Sequence, residues 1–555
     1  MLDTLPASSF VPFAARRVAG ARVLWHSGTL SPQALLERHA FAIGNDADAT
    51  GDIGTFLAER YGGAGLVNNG GGVRCGLRDG YQVKGIGRNP LSGRDASFWY
   101  SHGAAALEEA VREAIWGEVC AAVLPHGGVR VHGVIATGRE VPYDAGGGAM
   151  RTLPGALIVR DAVLRPGHYM RAVYYQPNED VAREHPSDAM RTRLAILQLG
   201  TGLASALGWP VQSCADVAGI NRALLEVAER LATQLAACRA RKIVHGALTC
   251  SNVALDGRLL DYGTITAVSD YGRVIVARGF PDMLSDHAGF VTTLRNLAFY
   301  VHKYLPGASR QGLVQPEELV HRYLARLNDR ACMEFLKLTG VTQQRLEQVP
   351  EATRLQVYAC INDIVAAGNG EPFKLRDMPA RMGRYHLNTI LREAALSGEA
   401  DMDARLAPSL PDAALRQRLV QSLLQLRQEA PLPQDETQRR HAQAFTALNA
   451  CRLNSNMPRL YRAALMQHIE QCLAADDPVP VIDAAIRSLR DEAHALLADP
   501  VDGAFTLLAR HGKPVQVHEQ QGPLVDGSPM PWSNLFGEME APALSHEDAQ
   551  RIPQP

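Results

Sequence analysis

The chain has 555 residues, more than one hydrophobic core usually serves, so its length predicts two or three structural units. Its 56 basic and 58 acidic residues nearly cancel, which argues against a nucleic-acid partner. Its nine cysteines include no Cys-x-x-Cys pair, so neither a zinc site nor a disulfide framework is expected. The absence of a signal peptide and of any run of about 18 apolar residues predicts a cytoplasmic protein without a membrane partner.

Short β-type runs separated by glycine-rich turns are typical of residues 1–185. Strands are predicted at 129–135 and 156–159, where apolar residues cluster between turn signals. One helix is predicted over 104–120, because its apolar residues recur at helical spacing. From residue 187 onward helical patterns dominate, with one helix predicted over 191–207, and the residues after about 511 carry Gly, Pro and acidic residues without periodicity. The sequence therefore predicts an N-terminal β-rich unit, a mainly helical remainder and a tail without periodic structure.

A glycine run is followed by a lysine on a predicted strand. The run ends in three consecutive glycines, Gly70, Gly71 and Gly72. The strand lies within 80–87 and carries Lys84 just before a glycine turn. Glycine lets the backbone approach a phosphate closely, and lysine supplies a compact charge for its oxygens. The pattern therefore predicts a phosphate-binding unit; a flexible surface loop is the alternative.

Glu113 lies at the edge of the apolar stripe of the helix predicted over 104–120. A carboxylate at that position can pair with Lys84 and orient its ammonium group, as the Lys–Glu ion pair of kinases does. The alternative is a solvent-facing side chain, as most glutamates on helices are.

Asn252 and Asp261 flank a predicted hairpin within the segment 245–263. The turn signal is Asp256-Gly257, which separates two short apolar runs. In kinase-like sites an Asn that ends the catalytic loop and an Asp that precedes a glycine turn hold the magnesium ion bridging the nucleotide phosphates. The sequence therefore predicts Asn252 and Asp261 as ligands of Mg²⁺ or Mn²⁺ in an ATP site; a surface hairpin is the alternative.

In this order, the motifs resemble the selenoprotein O family of kinase-like protein adenylyltransferases. The family's Leu-Lys-Gly-Ala-Gly-x-x-Pro element is matched by 84–87 with Pro90, and its Ile-Arg-Glu helix by Arg112-Glu113. Weaker matches span most of the remaining chain, at 22–25, 61–63, 159–169 and 456–461.

This resemblance implies an α+β, protein-kinase-like bilobal fold with a largely helical C-terminal extension. The expected units are an N-terminal lobe at 1–185, a catalytic lobe at 186–310, a helical extension at 311–510 and a tail at 511–555. Family members transfer AMP from ATP, because the nucleotide is inverted relative to ordinary kinases. A looser resemblance links the chain to relatives that accompany microcin-like peptide maturation.

The resemblance also implies roles for individual residues. Lys84 and Glu113 would form the catalytic ion pair, and Asn252 with Asp261 would hold the divalent ion. Nucleotide binding would involve the glycine loop and three arginines besides Lys84, namely Gly70, Gly71, Gly72, Arg74, Arg160 and Arg165. The implied acceptor is a protein or peptide.

The chain departs from the family at the expected catalytic base. The family motif His-Gly-x-x-Asn-Thr-Asp-Asn has an Asp where this chain has Ser251, and the base of His-Gly-Asp kinases falls on Ala247. A hydroxyl acceptor must lose a proton, whereas a carboxylate is already ionised at neutral pH. We therefore hypothesise that a carboxylate, such as a peptide C-terminus, is activated, with Ser251 in the catalytic loop. A γ-phosphate-transferring kinase and a nucleotide-binding pseudoenzyme or partner-dependent maturation subunit remain the alternatives.

Overall fold

The computed structural model describes residues 2–44, 49–66, 68–94, 96–144, 150–181, 183–368, 371–375, 384–508, 514–538 and 550–552. The longer strands lie before residue 162, and helices predominate from residue 188 onward. The α+β fold class predicted from the sequence is confirmed.

Most strands of the N-terminal part belong to one large sheet. They are β1 (Phe10–Val18), β2 (Arg22–His26), β3 (Phe41–Ala42), β4 (Ala49–Glu59), β5 (Cys75–Arg78), β6 (Tyr81–Lys84), β7 (Ala105–Ala106), β8 (Val131–Asp144) and β9 (Met150–Asp161). Shorter strands follow at β10 (Ile243–Val244), β11 (Thr266–Ala267), β12 (Val274–Ile275), β13 (Phe373–Lys374), β14 (Ala504–Leu508), β15 (Pro514–His518), β16 (Gly522–Val525) and β17 (Ser528–Pro529).

The helices of the N-terminal part and of the segment that follows it are α1 (Pro32–His39), α2 (Phe98–His102), α3 (Leu107–Val123), α4 (Asp188–Leu197), α5 (Leu199–Leu207), α6 (Val217–Ala240) and α7 (His287–Tyr304). The remaining helices are α8 (Pro316–Lys337), α9 (Gln343–Leu346), α10 (Glu351–Gly368), α11 (Leu387–Ala395), α12 (Met402–Leu406), α13 (Ala413–Glu429), α14 (Glu436–Leu453), α15 (Arg462–Leu473), α16 (Pro478–Leu497) and α17 (Trp532–Glu538).

The large sheet is antiparallel, with the order β2-β8-β9-β6-β5-β4-β1-β3 and β7 paired to β9. Alternate residues of a strand face opposite sides of a sheet. Along β9, Ala156 and Ile158 therefore join the core beneath α3, whereas Leu157 and Val159 join a second core on the other face. Strand β6 lies in the middle of this sheet, and both of its faces are covered, since Val83 belongs to the second core while Gln82 and Lys84 are buried on the α3 face.

One continuous core joins the α3 face of the sheet to the helical remainder of the chain. Helix α6 packs along α8, and α15 and α16 both pack against α3. The C-terminal helices therefore reach back to the N-terminal sheet, an arrangement that no local sequence pattern indicates. No helix in the described ranges has the length and apolar character needed to cross a membrane.

Two regions differ from the local expectations. A single helix is predicted over 191–207, but α4 and α5 are separated at Gln198, whose φ and ψ of −103° and 7° leave the helical region. The end of the chain, expected to lack periodic structure after about residue 511, instead contributes strands β15 to β17 to a four-stranded sheet with β14. Alternation of apolar and polar residues over only five positions is a weak signal, and packing on the helices decides the outcome.

Candidate functional site

A cleft of about 400 Å³ lies between the α3 face of the large sheet and the segment 245–264. Most of the residues predicted from the sequence to form the site line it: Gly71, Gly72, Arg74, Lys84, Arg160, Arg165, Ser251, Asn252 and Asp261. Glu113 lies behind this lining, where it contacts Lys84, and Gly70 packs against the ring of Tyr175. The tertiary structure therefore gathers residues from distant parts of the chain around one cleft.

Lys84 lies at the centre of the site. Its position on β6 turns the side chain away from Val83, which belongs to the opposite core, and toward α3. The ammonium contacts Glu113 and Asp261 and lies 3.1 Å from Oε1 of Glu109. The Lys84–Glu113 pair predicted from the sequence is present.

Burial alone would lower the pKa of Lys84, but the carboxylates of Asp261, Glu113 and Glu109 more than offset it and raise that pKa. Burial likewise would raise the pKa of Asp261, yet Lys84 and Arg160 hold it well below the ordinary value. The ammonium of Lys84 and the carboxylate of Asp261 are therefore charged at neutral pH.

Arg160 lies next to Lys84, and both side chains contact Glu113. On β9 it lies opposite Gln82 of β6, and its Nε donates to Oε1 of Gln82 at 2.8 Å. Its Nη1 donates to Oε2 of Glu113 at 3.0 Å. Glu113 is fully buried, so Lys84 and Arg160 supply the two positive partners that its charge requires.

Arg165 connects the sheet to the predicted catalytic loop. Its Nη1 donates to the carbonyl oxygen of Ser251 at 2.8 Å, and its guanidinium lies over the ring of Tyr61, 5.0 Å from the centroid. Its Nη2 donates to Oε1 of Gln82 at 3.3 Å. This arginine fixes the loop relative to β6, and its position lining the cleft is compatible with phosphate contact.

Arg74 lies at the end of the glycine loop. Its Nη2 donates to Oε2 of Glu109 at 2.9 Å and to the carbonyl oxygen of Ala104 at 2.7 Å. Glu109 precedes Glu113 by one helical turn, so both carboxylates occupy the same face of α3. Glu113 was predicted from the sequence and Glu109 was not, although its spacing of four residues from Glu113 was a signal for it.

The glycine loop approaches the preceding strand closely at Gly71. There φ is +150°, and a Cβ atom would lie 2.0 Å from the carbonyl oxygen of Glu59. At Gly72 the nearest atom to such a Cβ is the Tyr61 hydroxyl at 3.3 Å. The sequence therefore needs glycine at position 71 for backbone packing, whether or not this loop contacts a phosphate.

The segment 245–263 forms the tight turn predicted from Asp256-Gly257. The hairpin is minimal: Val253 bridges Leu259, and the amide of Ala254 donates to the carbonyl of Arg258 at 2.9 Å. These bonds place the two ends of the segment side by side.

Asn252 and Asp261 are brought together by that turn. The backbone amide of Leu260 donates to the carbonyl oxygen of Asn252 at 3.2 Å. Asp261 is the next residue after Leu260, so this bond brings it close to Asn252. Asp261 adopts a φ of +64°, a left-handed conformation that Asp tolerates better than most residues. The side chain is 34% exposed and lines the cleft.

These two side chains suit a hard divalent cation. Nδ2 of Asn252 donates to the carbonyl oxygen of Ala247 at 2.9 Å, an orientation that leaves the amide oxygen as the available ligand. A carboxylate and an amide oxygen are ligands that Mg²⁺ accepts, and this ion usually keeps several waters or phosphate oxygens besides. Clusters of three or more His, Cys, Asp or Glu arranged to bind a metal are absent from the described residues.

Ser251 is buried within the loop. Its Oγ lies 2.8 Å from Oγ1 of Thr249 and 3.4 Å from Oδ1 of Asn252. The two expected base positions are Ala247 and Ser251, and both line the cleft. Neither residue carries a carboxylate. The hydroxyl pair has no adjacent general base among these contacts, which makes Ser251 a poor candidate for activating a second hydroxyl.

Several cleft residues were missed by sequence reasoning. Half-buried aromatic side chains line it at Trp99, Tyr100, Tyr143 and Phe280. Helix α15 contributes Arg462 and Met466, and α3 contributes Arg112. Arg462 and Met466 reach the cleft because α15 packs against α3, so local patterns carried no signal for them. Arg112 was noted beside Glu113 in the sequence, but without a role in the cleft.

The sequence matches none of the protein-family models compared with it, and no curated protein is significantly similar to it. The cleft combines a lysine held by carboxylates, several arginines, and the side-chain oxygens of Asn252 and Asp261, which could bind a cation. This combination can bind a polyanion together with a divalent cation.

Proposed function

We propose that this protein is an ATP-dependent adenylyltransferase of selenoprotein O type that transfers AMP to a carboxylate of a protein or peptide. The observation that carries the proposal is the contact of Lys84 with both Glu113 and Asp261. In kinase-like sites the strand lysine, the helix glutamate and the aspartate that binds metal converge in this way. A kinase-like bilobal arrangement, with the large sheet on one side of the cleft and the segment 245–264 on the other, is part of the proposal.

The charges that line the cleft support a nucleoside triphosphate as its ligand. Among the described residues, Arg74, Lys84, Arg160 and Arg165 line it together with the carboxylates of Glu109 and Asp261. Arg112 and Arg462 line the part of the wall where α3 meets α15. Positive charge in a recess partly shielded from water attracts phosphate strongly. A divalent cation held by Asn252 and Asp261 would neutralise further phosphate charge.

The distribution of polar and aromatic groups favours an inverted nucleotide. Gln82, Arg160 and Arg165 are each no more than 3% exposed, so the deep end of the cleft is polar and cationic. Trp99 and Tyr143, whose rings lie 5.1 Å apart, are half-buried. Terminal phosphates would occupy the deep end and a purine would stack at the aromatic opening, which leaves the α-phosphate closer to the acceptor.

The lack of a base carboxylate at Ala247 and Ser251 supports a carboxylate acceptor. In the proposed step a carboxylate oxygen attacks the α-phosphorus and forms an acyl adenylate. The bond from that phosphorus to the β-bridging oxygen breaks, and pyrophosphate leaves with the electron pair. A carboxylate with an ordinary pKa needs no deprotonation for this reaction.

The decisive experiment uses ATP labelled in parallel at the α or the γ phosphate, with Mg²⁺ or Mn²⁺, a peptide pool with free C-termini, and hydroxylamine to trap an acyl adenylate. Wild type and Asp261→Ala are compared. Pyrophosphate release and AMP formation that Asp261→Ala abolishes are expected.

Transfer of the γ label would identify a kinase instead. Metal-dependent nucleotide binding without release of either product would identify a pseudoenzyme or a subunit that needs a protein partner. Absence of nucleotide binding would refute the proposal.

A further inference from the structure

Three arginines of the cleft form no ion pair among the described residues. One of them, Arg165, is already bonded to Tyr61, Ser251 and Gln82, which leaves Arg112 and Arg462. Among the described residues, neither Arg112 nor Arg462 forms an ion pair, whereas Arg74 pairs with Glu109 and Arg160 pairs with Glu113. A buried or half-buried cation without a counter-ion is costly unless a ligand supplies the missing charge.

Arg112 is largely enclosed. It is 7% exposed on α3, its Nη1 lies 3.2 Å from Sδ of Met466, and its Nε has no hydrogen-bond partner. Glu108 lies one turn earlier on the same helix and also lines the cleft. Burial raises the pKa of Glu108 and the charge of Arg112 opposes that shift, but the two side chains form no ion pair in the described structure. The guanidinium therefore retains unused donors at the cleft wall.

Arg462 approaches the same wall from the first turn of α15. Its Nη1 donates to the carbonyl oxygen of Gly263 at 2.8 Å, two residues beyond Asp261. Met466, which contacts Arg112, lies one turn further along α15, so the two guanidinium groups are neighbours. Burial and repulsion from Arg112 lower the pKa of Arg462 to about 10, although Tyr143 opposes this shift. Arg462 remains charged at neutral pH.

We propose that Arg112 and Arg462 form the subsite that binds the acceptor carboxylate before it attacks the α-phosphorus. This inference rests on the proposed function and deepens it by assigning the acceptor an anionic group. Guanidinium groups match the planar, two-oxygen geometry of a carboxylate. The bond from Arg462 to Gly263 places this subsite next to Asp261, and hence beside the proposed metal and phosphates.

Site-resolved modification by phenylglyoxal tests which ligand occupies the pair. The probes are α,β-methylene-ATP with Mg²⁺, a synthetic heptapeptide pool with free C-termini, and the same pool amidated. The free-acid pool is expected to slow modification of Arg462 by about fivefold or more, as occupancy well above the dissociation constant requires. The amidated pool and the nucleotide alone should not slow it.

Protection of Arg462 by the nucleotide alone would make the pair a phosphate site and overturn the inference. Equal protection by both peptide pools, or by neither, would also overturn it. Protection of Arg74 by the nucleotide reports separately on the proposed function. If Arg74 is not protected while the free-acid pool protects Arg462, the nucleotide site fails and the carboxylate subsite stands.

A substitution gives an independent test. Arg462→Met is expected to weaken binding of the free-acid pool, measured by calorimetry, by about tenfold or more, and to change the affinity for Mg²⁺-ATP by less than about twofold. Arg459→Met is the matched control, because Arg459 pairs with Glu492 outside the cleft. Thermal denaturation of both variants checks their folding. Unchanged peptide affinity in folded Arg462→Met would overturn the inference.

Discussion

The ammonium of Lys84 contacts the carboxylate of Asp261, which lies 177 residues later in the chain. This contact joins β6 to the end of the hairpin segment across the cleft. Both groups are charged, and each shifts the pKa of the other in the direction that favours the ion pair. A ligand that draws Asp261 toward a metal ion would leave Lys84 free to contact phosphate while Glu113 and Glu109 still hold it.

Lys84→Met should both destabilise the protein and abolish nucleotide binding. Removal of the ammonium leaves Glu109, Glu113 and Asp261 close together without their shared counter-charge, and breaking such a buried pair costs about 3–5 kcal/mol. We expect a lower midpoint of thermal denaturation and no measurable affinity for a fluorescent ATP analogue. Lys303→Met is the control, because Lys303 is exposed on α7. Equal behaviour of the two variants would contradict the central role of Lys84.

Glu109 should make the protein sensitive to acid. Burial raises the pKa of Glu109, but Arg74 and Lys84 prevail and lower it to about 2. A carboxylate with a depressed pKa in the folded state contributes stability above its unfolded pKa, and this contribution is lost as pH falls toward the folded value. Wild type should therefore lose stability relative to Glu109→Gln by on the order of 2 kcal/mol between about pH 5 and pH 3.

Urea denaturation of both proteins across that range measures the difference. A gap in unfolding free energy that is independent of pH would show that Glu109 is not held ionised by Arg74 and Lys84.

Two adjacent glycines should respond very differently to alanine. At Gly71 a methyl group would meet the Glu59 carbonyl at 2.0 Å with φ at +150°, so Gly71→Ala should cost at least about 2 kcal/mol. Gly72→Ala should cost less than about 1 kcal/mol, because its methyl group would meet only the end of the Tyr61 side chain. Denaturant titration of the pair tests this contrast, and similar losses would contradict the described path of the loop.

Lys242, like Glu109, should make the folding stability rise with pH, but over a higher pH range. Burial lowers the pKa of Lys242 to about 7, and Asp270 opposes this only partly. Below the folded pKa the lysine is charged in both states and the cost of burying the charge is fully present. Above it the folded state releases a proton that the unfolded state retains, so stability rises with pH.

Lys242→Met should therefore gain its largest advantage over wild type at or below about pH 7, and that advantage should shrink by roughly 2 kcal/mol by about pH 9. The hydrogen bonds from Nζ to Ser455 and Asn456 are lost at every pH and do not affect this slope. Denaturation at several pH values provides the measurement. A constant difference would show that the lysine stays protonated when buried.

Ser251→Asp introduces the carboxylate that the selenoprotein O motif has at the corresponding position, and it separates the two acceptor classes. If the acceptor is a carboxylate, the new carboxylate has no proton to remove, and pyrophosphate release with the free-acid pool should rise less than about threefold. Ser251→Asn controls for the change in shape beside Thr249 and Asn252. A gain of about tenfold or more, and above all one seen with an amidated pool rich in Ser and Thr, would indicate a hydroxyl acceptor.

Local patterns in the sequence were sufficient to find the elements that carry the candidate site. Glycines before and after a short strand, an apolar stripe of helical period and an Asp-Gly turn identified Lys84, Glu113, Asn252 and Asp261. These signals are readable because strand alternation, helical periodicity and turn chemistry depend on residues only a few positions apart. The family resemblance supplied Arg74, Arg160 and Arg165, and all three line the cleft.

Only the tertiary structure decided which other residues complete the cleft. Arg462 reaches the cleft because α15 packs against α3. Glu109 contacts Lys84 together with Glu113, because the face of α3 that carries both glutamates is turned toward β6. The same long-range packing gives the end of the chain a small sheet that its short alternating segments do not predict. Contacts between residues hundreds of positions apart depend on how whole surfaces fit together, and no window of a single sequence contains that information.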